Sequence, residues 1–423
     1  MVDSDLSNYI RSNVDSRGIP SIENSEWWMV TGRWSQAQIK AALANYIVDC
    51  AVPFPLKTME PADLEELFLR FCKTSHLGEY KDFGVVHERQ DYRYPYSANP
   101  LGVIDKSHAF NPVSNYFQQE NRMRCGSNAA DSPWSIWHSK EKLLKMNWHF
   151  WRKGALGKSN IGESTFRSAF RIGTYTATQF KPSVAKALYE KHGAVNVLDT
   201  SCGWGDRLAG FYATPCTKLY VGCDPNPEVF ATYKQQCLEY ERMLGVKAVV
   251  IEGPNYFICR GNKTVEVWNL PSEDVDWTKY TGLFDFYFTS PPYYETERYS
   301  AANSAGQSWV RYPDFHSWKS FFFGVNRAVW NTLADGGYMM LNIIDPRTGS
   351  KRLPLCDDMV DDILTYSDSN YLGKIGMRMQ ARPHAIVGTP ANSVFVEPIW
   401  VFRKGSARYD PAATPLQDLF KIG

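Results

Sequence analysis

From about Gly173 onward, short apolar runs alternate with longer stretches of helical period, whereas the chain before that point has no steady rhythm. Apolar runs bounded by turn formers predict strands buried on both faces, and the periodic stretches between them predict helices packed over those faces. The first strand is Val195–Asp199, followed by a turn and a helix near Arg207–Tyr212. The second is Leu219–Asp224, leading into a helix over Pro227–Leu244. The segment AVVIEGPNYFICRGNK reads as a hairpin-like insertion ahead of a third core strand at Thr264–Asn269. A fourth strand, Phe284–Thr289, runs directly into Ser290-Pro291-Pro292-Tyr293-Tyr294. A long amphipathic helix from Phe315 to Leu333 then reaches the turn Ala334–Gly337 and a fifth strand, Tyr338–Ile344. A helix near Asp357–Tyr366 and a last pair of strands, Lys374–Met379 and Ser393–Arg403, complete the series. This alternation predicts an α/β fold with a mainly parallel sheet and helices on both faces.

Two helices stand out earlier in the chain: Ser35–Cys50, and Pro61–Cys72, where Leu64, Leu67, Phe68 and Phe71 share a face. The change of character divides the chain into an N-terminal accessory or target-recognition region (1–165), a catalytic domain (166–405) and a C-terminal tail (406–423). At 423 residues there is room for more than one core. No apolar run approaches the ~18 residues that a membrane helix needs. The polar, mixed-charge start is not a secretory leader, and nine scattered cysteines suit reduced thiols, so a cytoplasmic protein with no membrane partner is expected. There is no Cys-x-x-Cys pair, and no metal is expected.

The net charge is only +1, but it is unevenly spread. Between His138 and Gly193, eleven Lys or Arg face three Glu, a local excess of +8, with Trp148, Phe150 and Trp151 interleaved. A cationic, aromatic-bearing stretch suits phosphate contact and base stacking. Lys142, Lys145, Arg152 and Lys153 are the candidate contacts; the alternative is a solvated helix face.

Three motifs carry chemistry. VLDTSCGWGDRLAG (197–210) joins a strand to a helix through Gly203 and Gly205, so the backbone can approach a ligand closely at a helix N-terminus. A dinucleotide turn has the same outline, but Leu208 stands where a third glycine of G-x-G-x-x-G is usual. Asp224 closes the second strand, where a carboxylate can accept both hydroxyls of a ribose. Ser290-Pro291-Pro292-Tyr293 ends the fourth strand: the prolines fix the backbone and remove two donors, leaving the Ser290 hydroxyl and Pro291 carbonyl to accept from an amino group. Tyr293, with Tyr294, offers a face on which an extruded base could stack.

The motifs TATQFKPSVAKALYE, LDTSCGWGD, GCDPNP, TSPPYY, LADGGYMMLNI and EPIWVFRK, spread in this order over 176–404, resemble those of amino methyltransferases, especially DNA methyltransferases acting on adenine N6 or cytosine N4. The resemblance implies a seven-stranded, mainly parallel Rossmann-like sheet with S-adenosylmethionine (SAM) as cofactor, its last two strands antiparallel at one edge. It implies cofactor contacts at Thr178, Gln179, Phe180, Pro182, Asp199, Ser201, Cys202, Gly203, Gly205, Asp224, Pro225, Ser272 and Glu273, and catalysis by Ser290, Pro291, Pro292 and Tyr293. DNA is the implied partner. Ser290, where many adenine enzymes carry an acid or Asn, favours cytosine N4 over adenine N6. An RNA base methyltransferase, a protein-glutamine methyltransferase and a silent nucleic-acid-binding subunit of the same fold are the alternatives. The acidic group Asp357, Asp358, Asp361 and Asp362 reads as a solvated helix start, and His384 lies in a loop, Ala381–Asn392, that could touch substrate.

Overall fold

The computed structural model describes residues 4–83, 85–105, 107–127, 130–148, 161–299, 306–379 and 393–405. The chain forms two compact units. One comprises residues 1–60, 119–178 and 297–301, the other 61–118, 179–296 and 302–423. Residues 61–118, read above as part of an N-terminal region, therefore fold with the sheet, while 166–178 do not.

The first unit is helical, with helices Ser4–Ser12, Asn24–Arg33, Gln36–Asp49, Lys140–Lys145 and Glu163–Gly173 among its elements. Leu6, Ile10, Trp27, Leu43, Trp137, Trp148 and Phe166 belong to its core. The helix expected at Ser35–Cys50 starts where the Ser35 hydroxyl accepts from the Gln38 N–H and Gln38 caps the Ser35 N–H in return.

The second unit is built on a twelve-stranded sheet. Its strands are β1 (Tyr80–Lys81), β2 (Val85–Glu88), β3 (Pro100–Ile104), β4 (Asn196–Asp199), β5 (Leu219–Cys223) and β6 (Val249–Gly253). They continue with β7 (Tyr256–Arg260), β8 (Thr264–Trp268), β9 (Phe284–Thr289), β10 (Leu333–Asn342), β11 (Ser369–Met379) and β12 (Ser393–Lys404). Seven of them form the central run β8-β5-β4-β9-β10-β12-β11, parallel from β8 to β10, with β12 antiparallel to both its neighbours. The expected α/β sheet is thus present, and its last two strands pair antiparallel. They are not at the edge, however: β3 pairs with β11, β1 with β3, and β2 with β12. At the other side the hairpin β6–β7 extends the sheet beyond β8.

The apolar runs follow from burial on both faces. Leu198, Tyr287, Met339 and Leu341 join a core that includes Trp318, Phe322 and Val325 of the helix Phe315–Trp330 and Met359 and Val360 of the helix Cys356–Ile363. On the opposite face the Phe286 and Phe288 rings meet Tyr189, at centroid distances of 5.5 and 6.4 Å. β10 begins at Leu333, so Asp335-Gly336-Gly337 is an irregularity inside the strand and not a separate turn. Gly336 has φ +79°, and the register against β9 shifts between Phe284 and Phe286. The acidic group of the helix Cys356–Ile363 is ion-paired. Arg93 meets Asp357, Asp358 and Asp361, Lys319 meets Asp358, and Arg327 meets Asp362. Among the described residues no cluster of His, Cys, Asp and Glu could hold a metal ion, and no helix is long and apolar enough to cross a membrane.

Candidate functional site

In an open parallel sheet, ligands bind outside the carboxyl ends of the strands where the connection order reverses. Here that point lies at β4. The chain leaves β4 for β5 and β8 on one side, then returns to β9 and β10 on the other. Asp199 is level with Gly222 of β5, and Leu198 with Tyr287 of β9, so the ends of β4, β5 and β9 lie side by side. Those ends carry Asp199, Asp224 and Ser290. All three chemical motifs therefore lie together at the carboxyl edge of the sheet.

The glycine turn is held from beneath. The Asp199 carboxylate is fully buried and receives Arg207 Nε at 2.7 Å and Nη2 at 3.2 Å, the Tyr220 hydroxyl at 2.7 Å, the Thr289 hydroxyl at 2.9 Å and the Ser201 N–H at 3.2 Å. Arg207 also donates to the Ser201 carbonyl. Asp199, expected to face the cofactor, instead ties β4, β5 and β9 to the helix Asp206–Ala213. It is a positioning residue, and Arg207 is the partner that the motif alone did not reveal.

The two glycines serve different ends. Gly205 has φ +67°, a left-handed conformation that favours glycine, and a Cβ there would lie 2.3 Å from Gln236 Oε1 and displace that amide of the helix Pro227–Met243. Gly203 has φ +57°, but a Cβ would meet only the Ser201 carbonyl, at 3.7 Å. That open side is where a ligand can approach the backbone. The Gly203 N–H donates to Asp224 Oδ2 at 3.0 Å, and the Tyr233 hydroxyl donates to the Gly203 carbonyl. Gln236 Nε2 donates to the Gly205 carbonyl at 2.9 Å, so one helix fixes both glycines. Cys202 is buried, its N–H bonded to the Cys223 carbonyl at 3.0 Å, and Gly222 leaves room for its sulfur.

Asp224 is half-buried beside Pro225. Oδ1 accepts from the Asn226 N–H at 3.0 Å, and Asn269 Nδ2 donates to the Asp224 carbonyl at 2.9 Å. Burial pushes its carboxyl up to about 6, although the Asn226 and Gly203 N–H groups and the Tyr233 hydroxyl pull the other way. A carboxyl perturbed by burial at a strand end marks Asp224 as a candidate binding group. After β8, Ser272 is held through its carbonyl by Trp277 Nε1 at 2.8 Å, and Glu273 meets Arg311 at 2.9 Å and the Tyr312 hydroxyl at 3.2 Å. Burial raises the Glu273 carboxyl against the pull of Arg311.

The TATQFKP segment divides. Phe180 lies in the sheet-bearing unit, its ring 5.6 Å from Phe288 and under the Arg207 guanidinium at 5.6 Å. Pro182 is the first residue of the helix Pro182–His192 and is buried. The Gln179 amide is taken by the Asn111 carbonyl, Ser114 Oγ and Asp206 Oδ1 at 2.8–2.9 Å, so it braces the turn. Thr178 belongs to the helical unit and is exposed.

In the loop after β9, Pro291 is buried, while Ser290, Pro292 and Tyr293 are half-buried. No described residue takes the Ser290 hydroxyl. Tyr293 donates to Glu397 Oε1 at 2.7 Å. Tyr294 turns the other way: at φ +51° its ring enters the core between Phe315 and Trp318, 5.7 and 5.6 Å away, and its hydroxyl donates to the Pro313 carbonyl. Buried to 7% exposure, it does not stack a base, contrary to the expectation above. Tyr293, half-buried, is the one of the pair that keeps part of its ring exposed.

The basic stretch is not one face. Lys186 is fully buried, its Nζ donating to the carbonyls of Phe71, Cys72 and Thr74 at the end of the helix Pro61–Lys73. Trp148 is buried and donates to the Leu143 carbonyl at 3.0 Å. Lys142 pairs with Asp131 at 2.9 Å and Lys145 with Glu141, both in the helical unit. Phe150, Trp151, Arg152, Lys153 and the 381–392 loop lie outside the described residues.

No family model and no curated protein matches the chain. Among solved structures, Trm1 from Pyrococcus horikoshii in complex with S-adenosyl-L-methionine is 14% identical, with a TM-score of 0.32 over 55% of this chain. The match covers 57% of Trm1, so the chain spans little more than half its length. The N-methyltransferase NodS from Bradyrhizobium japonicum WM9, with S-adenosyl-L-homocysteine, is 11% identical, with a TM-score of 0.30 over 52% of this chain and 84% of its own. The 1,6-didemethyltoxoflavin-N1-methyltransferase of Burkholderia thailandensis is 13% identical, with a TM-score of 0.30 over 53% of this chain and 78% of its own. Likenesses of this degree carry no assignment of substrate or activity.

Proposed function

We propose that the chain is a SAM-dependent methyltransferase acting on the exocyclic amino group of a nucleic-acid base, with DNA cytosine N4 or adenine N6 as the target. One observation carries this reading: Gly203 with its open side, the Asp224 carboxylate and the Ser290-Pro291-Pro292-Tyr293 loop stand side by side at the switch point of the sheet. The donor set fits the cofactor. Asp224 is an acceptor for the ribose hydroxyls, Ser201–Gly205 line the approach to the backbone, and Phe180, Pro225, Ser272 and Glu273 flank them. SAM supplies, when bound, a methyl group on a positively charged sulfur. The Ser290 hydroxyl and Pro291 carbonyl accept the two amino hydrogens of the target, which draws its nitrogen towards tetrahedral geometry and exposes the lone pair. Tyr293 offers its ring to the flipped base. The C–S bond breaks as the N–C bond forms, leaving a neutral thioether. The methylated nitrogen, now a strongly acidic cation, gives its surplus proton to water, so positioning and electrostatics supply the rate and no strong base is required. The helical unit, with Lys142 and Lys145, is assigned to target recognition. Incubation with labelled SAM and duplex DNA, single-stranded DNA or structured RNA, followed by nucleoside mass spectrometry, tests the reading. Methylated cytosine N4 or adenine N6 supports it, product on RNA alone moves the substrate to RNA, and no product on any of them removes it.

Asp224→Ala is expected to weaken SAM binding by about 2 kcal/mol, since two hydrogen bonds to a charged acceptor are lost. The wild-type affinity should also depend on pH. An acid raised from 3.8 to about 6 stabilises the fold below 3.8, and that contribution, about 3 kcal/mol, is lost as pH rises through 6. Binding has the opposite sign because it uses the ionised form. The dissociation constant should rise about tenfold per pH unit below 6 and be flat above it. Calorimetry showing a flat profile from pH 5 to 8 would take Asp224 off the ribose.

Each of Lys142 and Lys145 must leave a surface ion pair, worth at most about 1 kcal/mol, to reach a phosphate. Alanine at both should reduce the slope of log affinity against log salt by up to about 1.8, two contacts at about 0.9 each. Anisotropy titrations with an unchanged slope would return both residues to their intramolecular partners alone.

A further inference from the structure

We infer that Glu397 is a positioning residue that fixes the Tyr293 ring for the target base, an inference that rests on the methyltransferase reading above. Glu397 lies on β12, 104 residues from Tyr293, and is only 8% exposed. Its Oε1 receives the Tyr293 hydroxyl at 2.7 Å and Asn342 Nδ2 at 3.4 Å. The same Asn342 amide donates to the Pro398 carbonyl at 3.1 Å, and the Asn342 carbonyl lies 3.4 Å from the Tyr293 hydroxyl. Three elements thus converge on one oxygen: the loop after β9, the end of β10 and the strand β12 that pairs with it, Asn342 opposite Ile399.

Among the described residues no Lys or Arg pairs with Glu397. A glutamine would fill the same space and could accept the same hydrogen bond without a charge. What the charge adds is a shorter, stronger hydrogen bond to a phenol. The two prolines before Tyr293 fix the backbone but do not set χ1 and χ2, and the half-buried ring packs against the core on one side. The hydroxyl tether adds a second fixed point at the far end of the ring. The ring face is then presented in one orientation before the base arrives, so the ordering cost of stacking is met in advance.

The test is a double-mutant cycle with a second readout independent of turnover. Tyr293→Phe keeps the ring and removes the tether, Glu397→Ala removes the acceptor, and Glu397→Gln keeps an uncharged one. Glu397→Ala and Tyr293→Phe should each lower kcat about tenfold with the KM for SAM unchanged, the double variant should be no worse than either, and Glu397→Gln should recover part of the loss. Multiplicative losses in the double variant would overturn the inference, as would a Glu397→Ala enzyme with wild-type kcat. In parallel, 3-fluorotyrosine placed at position 293 is followed by fluorine resonance in protein without nucleic acid. Glu397→Ala should shift and broaden the signal, and Glu397→Gln should largely restore it; an unmoved signal in Glu397→Ala refutes the tether. Should the wild type methylate nothing, the methyltransferase reading falls, and the fluorine signal still decides whether Glu397 holds Tyr293.

Discussion

Asp199→Ala is expected to remove about 3–5 kcal/mol from the stability of the sheet-bearing unit, a large fraction of the about 5–15 kcal/mol that a domain possesses. The loss follows from what is left behind. Arg207 is 4% exposed, and its guanidinium would keep its charge with no counterion, while the hydroxyls of Tyr220 and Thr289 would lose their acceptor. The double variant Asp199→Ala with Arg207→Met should recover much of the stability, because removing both charges of a buried pair is far cheaper than removing one. Urea unfolding measures this, provided the two units are followed by separate probes, since two units need not unfold in one transition. A loss below about 1 kcal/mol for the single variant would mean that water reaches Arg207 and that Asp199 is available to a ligand after all.

The same residue shows where reading a sequence stops. The strand ends, the glycine turn and the proline loop were legible because their signals are local: a run of Val, Leu and Phe, then Asp, Gly or Pro within a few positions. An aspartate closing β4 has the same local signature whether it faces a ribose or an arginine. The difference lies in Arg207, eight residues on, and in Tyr220 and Thr289 on neighbouring strands. Lys186 misled for the same reason. It counts as surface charge in a tally of cations, yet its three carbonyl partners lie more than a hundred residues earlier. Strands β1 and β3 went unread because they are two and five residues long and β3 contains Pro100 and Gly102, residues that rarely signal a strand. Tyr294 was mistaken for a twin of Tyr293. The left-handed backbone at Tyr294, invisible in the letters, buries its ring within the core, whereas Tyr293 packs only half-buried against the same core.

That divergence gives the largest expected effect on catalysis. Pro291→Ala and Tyr293→Ala should each reduce turnover by about a hundredfold, close to 2.7 kcal/mol of transition-state stabilisation, while SAM affinity changes less than about twofold. Both residues are assigned to the target amino group and its base, and neither shares a hydrogen bond with Gly203 or Asp224. Pro291→Ala restores a backbone N–H and frees φ, so the carbonyl that accepts from the amine is no longer held in place. Tyr293→Ala removes the stacking face, worth about 1–3 kcal/mol per base. Tyr294→Ala is the contrast. Its ring packs on Phe315 and Trp318, so the variant should lose about 3–5 kcal/mol of stability, and activity should fall only as the folded fraction falls. Single-turnover rates with saturating SAM, together with calorimetric SAM binding and thermal midpoints, separate the three. If Pro291→Ala and Tyr293→Ala instead weakened SAM binding in proportion to their loss of rate, the loop would belong to the cofactor. The target amine would then have to be held by residues elsewhere along the carboxyl edge of the sheet.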